Sequence, residues 1–347
     1  MAKVITTELQ HSGASSANIT LAADGSVALP ADTVDIATLS ATGTASSSTF
    51  LRGDNAWAAA GGNTTIDGTN THSGTDAGAA LSSATGNTAY GHSALKTSNA
   101  NNQTAFGYQA LKLATGGGNT AIGKDAGLNC STGFVAFAGG EQACKGNTTG
   151  SSNVGVGAEA LKDNTECNNC TAVGYRALEN VGTGSTSAHD NTAIGRYAGR
   201  DLLTGWNSTC IGADAQASST SASNQITLGN SSVSGLRCNE TSIAALSDQR
   251  DKTDIVNLPL GLNFVKSLRP VKFKWARRDP NDNDNDGKIR AGFLAQELQT
   301  AMGSDTYLDL IMDDNPDKLE AKIGNLVPVL VQAIKELEAK VAALEAG

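Results

Sequence analysis

A glycine returns every 16 or 17 residues through the middle of the chain, and a self-similar period of that length points to stacked coils, not to an ordinary globular core. The segments Thr88-Ala89-Tyr90-Gly91, Thr104-Ala105-Phe106-Gly107 and Thr120-Ala121-Ile122-Gly123 are 16 residues apart. Weaker copies end at Gly140 and Gly157, clear ones at Gly174, Gly195 and Gly212, and Ile226-Thr227-Leu228-Gly229 closes the series. One interval stretches to 21 residues, where Gly182 to Asp190 carries an insertion. Three residues after the glycine stands alanine, from Ala94 and Ala110 through to Ala215, and a leucine often follows it (Leu95, Leu111, Leu161, Leu178). The residue before the glycine is apolar in nearly every copy, from Tyr90 to Leu228.

A threonine-small-apolar triplet reads as a very short strand whose first and third side chains share a face. The glycine then permits a positive φ or a close backbone approach. The leucines add a second buried column. One copy buries too little apolar area to fold alone, so neighbours must supply the core by stacking. Two strand-and-turn units of this length are expected to make one coil of a narrow β-roll or β-helix. A flat ligand-binding threonine face, as on ice-binding solenoids, is the alternative use of the threonine column, but Phe137 and Val154 interrupt it.

Composition agrees with a thin rod: glycine is abundant, at 39 residues, and aromatics are only 4%. The formal charge of −9 argues against a nucleic-acid partner, which would require a basic surface. The opening MAKVITTELQ has no apolar run of signal-peptide length and no later stretch approaches a membrane span, so a soluble protein assembled in a cytoplasm, without membrane insertion, is expected. Six cysteines in so long a chain do not suggest a disulfide scaffold. Cys167 and Cys170 form a lone CxxC without the second pair a metal site needs, and Cys144 and Cys210 occupy small or apolar repeat positions. No cofactor and no metal are expected. His11, His72, His92 and His189 are scattered and read as surface residues.

At residues 86–230 the units resemble the head repeats of trimeric adhesins and the shafts of phage fibres, which carry similar Asn-Thr-Ala-Ile-Gly units. The stretch from Ser47 to Trp57 resembles a short element of phage virion proteins near the base of fibres. The expected organisation is therefore an N-terminal virion-attachment region at 1–60, a linker or start of shaft at 61–85, the β-repeat shaft at 86–239, and a separate domain at 240–347.

Beyond Glu240 charges become dense and ordinary helix and strand patterns begin. Asn257 to Leu268 reads as a short helix ended by Pro270. Val271 to Trp275 alternates like a strand, with Ile289 to Leu294 as its partner, leading into a helix over Gln296 to Met302. Asp282 to Gly287 matches the first half of a calcium loop, but Phe293 stands where the bidentate acid should be, so a solvated loop is expected. Ile323, Val327, Leu330, Ile334, Leu337, Val341 and Leu344 alternate four and three apart, the a/d seam of a coiled coil on a helix over 326–346. β-branched a and leucine d positions favour two strands in free peptides.

Ala244-Ala245-Leu246-Ser247-Asp248-Gln249-Arg250-Asp251-Lys252, together with Leu268-Arg269-Pro270-Val271, Gly292 to Glu297 and Leu326-Val327-Pro328-Val329-Leu330, closely resembles the endosialidase-type intramolecular chaperone, a self-cleaving peptidase domain at the C-termini of phage tail fibres and tailspikes. The resemblance implies a mainly β, trimeric fibre ending in a small α+β chaperone domain. That domain drives homotrimer folding and is then cut away before the motif serine. Carried over, Ser247 is the reacting residue, Leu246–Ser247 the scissile bond and Lys252 the dyad partner. Asp248 and Arg250 orient the turn, and Glu297 is a supporting position. A serine hydroxyl needs a base, and a lysine serves when burial lowers its pKa. The implied enzyme activity is one autoproteolytic turnover. Virion tail or neck proteins are the implied partners at the N-terminus, a host surface receptor (a glycan or outer-membrane component) is the implied partner at the Gly182–Asp190 insertion and the shaft end near Gly229–Arg237, and the virion is the implied location. A polysaccharide-degrading tailspike is disfavoured because the repeats lack recurrent paired carboxylates. A non-viral trimeric adhesin would need a secretion signal and an outer-membrane strand domain.

Overall fold

A computed structural model describes residues 69–183, 188–239, 243–276 and 287–347, with short strands among residues 1–68. The chain divides into two compact units, Met1–Thr65 and Ile66–Gly347. In the first, Thr49–Leu51 pairs antiparallel with Trp57–Ala59, within the element expected near a fibre base. Glu8–Leu9, Ile19–Leu21 and Val27–Ala28 form a three-stranded antiparallel sheet in the same region, the one expected to attach to a virion; its other residues, His11 among them, the candidate calcium loop up to Asp286 and residues 184–187 of the long insertion lie outside the described residues.

The second unit is a parallel β-solenoid followed by a small α+β domain. Its strands stack in chain order through Thr88–Tyr90, Thr104–Phe106, Thr120–Ile122 and onward to Ile226–Leu228. Thr88 faces Thr104 and Thr104 faces Thr120, so each repeat makes a whole coil by itself. The expectation of two units per coil is thereby corrected. Alanine and glycine permit it: a coil with one three-residue strand and tight turns leaves room inside only for small side chains and single leucines.

Within each strand the middle residue points inward. Ala89, Ala105, Ala121, Ala172 and Ala193 are completely buried, as are the alanines three residues past the glycine and Leu95, Leu111 and Leu161. The threonine and the apolar residue do share a face, and that face is the outside of the sheet. Stacked leucines come at a backbone cost: Leu95, Leu111, Leu161 and Leu178 adopt φ of 48–54°, a region bulky side chains avoid, and their full burial offsets it. The glycine column exists because coils touch there. A Cβ on Gly107 would lie 2.4 Å from the Gly123 carbonyl oxygen.

A buried amide ladder closes the coil edges, one residue before each strand threonine. Asn70 Oδ1 accepts from Asn87 N at 3.0 Å, Asn87 Oδ1 from Gln103 N at 2.9 Å, and Asn191 Oδ1 from Ser208 N at 2.9 Å. The ladder is interrupted on the two rungs before Val135–Gly139, the strand that shifts register against Asn153–Val156: the buried Gln103 Oε1 and Asn119 Oδ1 have no hydrogen-bond partner. Cys144 sits in the leucine column and Cys210 in the middle-strand column, both buried, and burial pushes the Cys144 thiol up to about 12. Cys167 and Cys170 are joined in a local disulfide inside one coil, a bridge that their spacing alone did not predict.

In the C-terminal domain, helix α1 spans Leu262–Ser267, α2 spans Ala295–Met302 and α3 spans Val327–Glu345. The helix expected from Asn257 starts only after Gly261; Pro259 and Gly261 keep the preceding residues out of it. Val271–Phe273 pairs antiparallel with Arg290–Gly292. The core gathers Phe264, Leu298, Leu310, Leu326 and Val329 from all three helices and the strands between. Among the described residues no helix is long and apolar enough to cross a membrane.

Candidate self-cleavage site

The segment joining solenoid to C-terminal domain runs exposed from Ile243 through Asn257. Two elements give it shape. Asp248 caps the single turn Gln249–Asp251, its carboxylate accepting from Arg250 N at 2.9 Å, while the Arg250 guanidinium returns to the same carboxylate at 2.5 Å. That pairing holds the Asp248 carboxyl below the usual carboxylate range. The turn reverses the chain just enough to bring Lys252 back over Ser247. Lys252 Nζ donates to Ser247 Oγ at 2.6 Å and approaches the Ser247 carbonyl oxygen at 3.5 Å.

A hydroxyl and an amine in hydrogen-bond contact, one residue past an exposed peptide bond, form the minimum apparatus for attack on that bond. Leu246 is fully exposed, so its carbonyl side meets no steric barrier in the single chain. Ser247 and Lys252 are also exposed, so water solvates both groups here. Among the described residues no cluster of histidine, cysteine, aspartate or glutamate could hold a metal ion.

Of the residues singled out in the sequence, Ser247, Lys252, Asp248 and Arg250 come together in one turn. Glu297 does not join it in the contacts it makes: it is engaged by Arg269, whose Nε lies 3.1 Å from both carboxylate oxygens. The two charges rim a cavity of about 430 Å³ between α2 and the end of α1, lined also by Leu268, Phe293 and Leu298.

Two contacts were not legible from motifs. Glu336 on α3 accepts the Leu262 backbone N–H at 2.8 Å and so caps α1. Asp314 reaches the last coil, taking hydrogen bonds from Gln225 at 2.5 Å and Ser218 at 3.2 Å, while Asn315 donates to the Ser218 carbonyl at 3.2 Å. The seam on α3 faces outward. Every member from Ile323 to Leu344 is exposed, Ile334 by 66% and Leu344 by 81%, while Leu326, Val329 and Ala333 face the domain core.

Residues 247–306 match the family described as chaperone of endosialidase, and the match begins at Ser247 itself. The C-terminal region thus carries a domain of that kind. One solved structure, the collagen-binding domain of the Yersinia adhesin YadA, aligns with 50% of this chain and 80% of its own length at 21% identity and a TM-score of 0.28. No curated protein sequence matches the chain.

Proposed function

We propose that this chain is the subunit of a homotrimeric fibre whose C-terminal domain aligns three copies and is then severed by one self-cleavage at Leu246–Ser247. The observation that carries the reading is the 2.6 Å contact between Lys252 Nζ and Ser247 Oγ, placed at the start of the matched chaperone family. The outward seam of α3 supports the assembly half: a helix of under three heptads with its apolar stripe in water needs other helices to cover it. Three copies is the number implied by the chaperone resemblance.

The chemistry follows from the positions. Lys252, as the neutral amine, takes the proton of Ser247 Oγ as that oxygen attacks the Leu246 carbonyl carbon. The Leu246–Ser247 C–N bond breaks, the proton passes to the Ser247 nitrogen, and the acyl group rests on Oγ as an ester. Water then hydrolyses the ester, leaving the Leu246 carboxyl and restoring the serine. Solvent favours the charged amine, whereas desolvation favours the neutral one. Ser247 and Lys252 are exposed in the single chain, so covering the segment by neighbouring copies would switch the base on and couple cleavage to assembly.

The proposed divisions are those drawn from the sequence: virion attachment within 1–60, linker or shaft start at 61–85, shaft to 239, and chaperone from 240. A phage tail or related virion appendage, docked at its N-terminus to tail or neck proteins and contacting a host receptor at the Gly182–Asp190 insertion or the shaft end near Gly229–Arg237, is the setting we infer. Intact-mass analysis tests the reading. Wild type should yield fragments of 246 and 101 residues, and Ser247→Ala and Lys252→Met should each remain one chain of 347. Wild-type trimers that stay whole would refute self-cleavage.

A further inference from the structure

We propose that the strand face of the solenoid is the surface on which copies of this chain meet, rung against rung; this rests on the trimeric reading above and names the face it would use. Two columns make up that face. The threonines are half-buried, and the apolar residues beside them stand out, exposed by 36% at Val173 and up to 55% at Phe106. Neither column carries a charge anywhere from Thr71 to Leu228. The charged residues flank the face beyond the glycines, where Lys124 pairs with Glu141 and Arg196 with Asp214 across coils.

The exposed column presents on the order of 700 Å² of side chain, near the ~800 Å² each partner contributes to a stable interface and above the patch a soluble monomer tolerates. The occupant is set by the repeat. Rungs recur at the strand spacing of about 4.8 Å along the stack, so only a surface with the same period meets all of them. Another copy has that surface, and the α3 seam on every copy would hold the copies parallel.

One irregular rung supports the assignment. Gly139 falls in the apolar column, opposite Ile122 on one side and Val156 on the other, and offers no side chain. Phe137, from the threonine column of the same strand, leans across it: a Cβ on Gly139 would lie 2.4 Å from the Phe137 ring. The rung that lost its own apolar group is covered by its neighbour's, and the ladder stays apolar without a gap.

Disulfide trapping in the full chain tests the face. In a Cys238→Ser background, cysteine is introduced singly at Ile122, Val173 or Ile211 on the ladder, or at the exposed Leu113 on the turn side as control. Light scattering fixes the oligomeric state, and copper-phenanthroline oxidation followed by non-reducing gels reads interchain bonds. Trimers that cross-link through ladder positions and not through Leu113→Cys are expected. Trimers with no ladder cross-link at any of the three sites, or with cross-links through Leu113→Cys alone, overturn this face while leaving the trimer intact. A monomer would overturn the trimeric reading itself. As a second measure, Val173→Asp should lower the thermal midpoint of trimers while Leu113→Asp leaves it in place; equal behaviour of the two counts against the face.

Discussion

Gly261 gives up its side-chain space to Glu336. The Glu336 carboxylate lies where a Cβ on Gly261 would be, 2.2 Å from Oε1, and uses that position to accept the Leu262 N–H at 2.8 Å. The helix that carries the exposed apolar seam is thereby bonded to the first helix of its own domain, and the seam's orientation depends on a residue with no side chain.

Gly261→Ala should force Glu336 away and uncap α1. Loss of a helix cap costs about 1 kcal/mol, and the displaced packing adds to it. Amide exchange at Leu262 and the following turn should accelerate, with the solenoid unaffected. Unchanged protection at Leu262 would mean the carboxylate is not seated as described.

The same cap predicts an acid-sensitive element. The Leu262 N–H bond first, then Gln332 and Lys340, holds the Glu336 carboxyl below its ordinary 4.5. Because the folded value is depressed, the stabilisation is fully present above about pH 4.5 and is lost as pH falls through the lower folded value. The Leu262 protection factor, corrected for intrinsic exchange, should decline across that window in wild type and be flat in Glu336→Gln.

Within the solenoid, two asparagines at equivalent positions should respond differently to alanine. Asn191 donates to the Gly205 carbonyl at 2.8 Å and accepts from Ser208 N, so Asn191→Ala strands two buried backbone groups, each costing about 1–3 kcal/mol. Asn119 donates to the Gly116 carbonyl at 2.7 Å and its oxygen has no partner, so Asn119→Ala should cost less. Thermal melts of the two variants decide; equal losses would deny the broken ladder.

Leu161→Ala should cost about 2–5 kcal/mol, since the coil cannot collapse around the void. Full burial and a φ of 54° make this leucine a stronger test than an ordinary core site, because alanine keeps part of the backbone strain while losing the packing. A shift in melting no larger than that of a surface variant would contradict it.

Asp314→Ala should free the last coil from the C-terminal domain. Gln225 and Ser218 both donate to this carboxylate, and its removal should raise amide exchange over residues 218–228 without altering Ser247 or Lys252. Exchange equal to wild type there would remove the latch from the account.

The glycine period and the alanine column were legible because they are geometric necessities of a coil this narrow. The face of the apolar column was not. A period of two states which side chains share a side, and size then decides which side fits inside. From Ala89 to Cys210 only alanine, cysteine or glycine stands at the middle of these strands, so Tyr90 and Phe106 must stand outside. Positive φ at Leu95 and Leu161 had no compositional signal, since leucine carries none. At the candidate site, Ser247 and Lys252 are five residues apart, a spacing that faces neither a helix nor a strand. The Asp248 cap brings them together, and its role was stated only through the family resemblance. The helix read from Asn257 begins at Leu262, because Pro259 and Gly261 do not allow an earlier start.

One coil per repeat has a consequence for how such rods change over generations. Because each unit of 16 or 17 residues closes on itself and presents the same edge above and below, copying or deleting one unit in the gene would alter the rod's reach by about 4.8 Å and leave both ends chemically as they were. Length is then a quantity that recombination adjusts in fixed steps, independently of the sequence at either end.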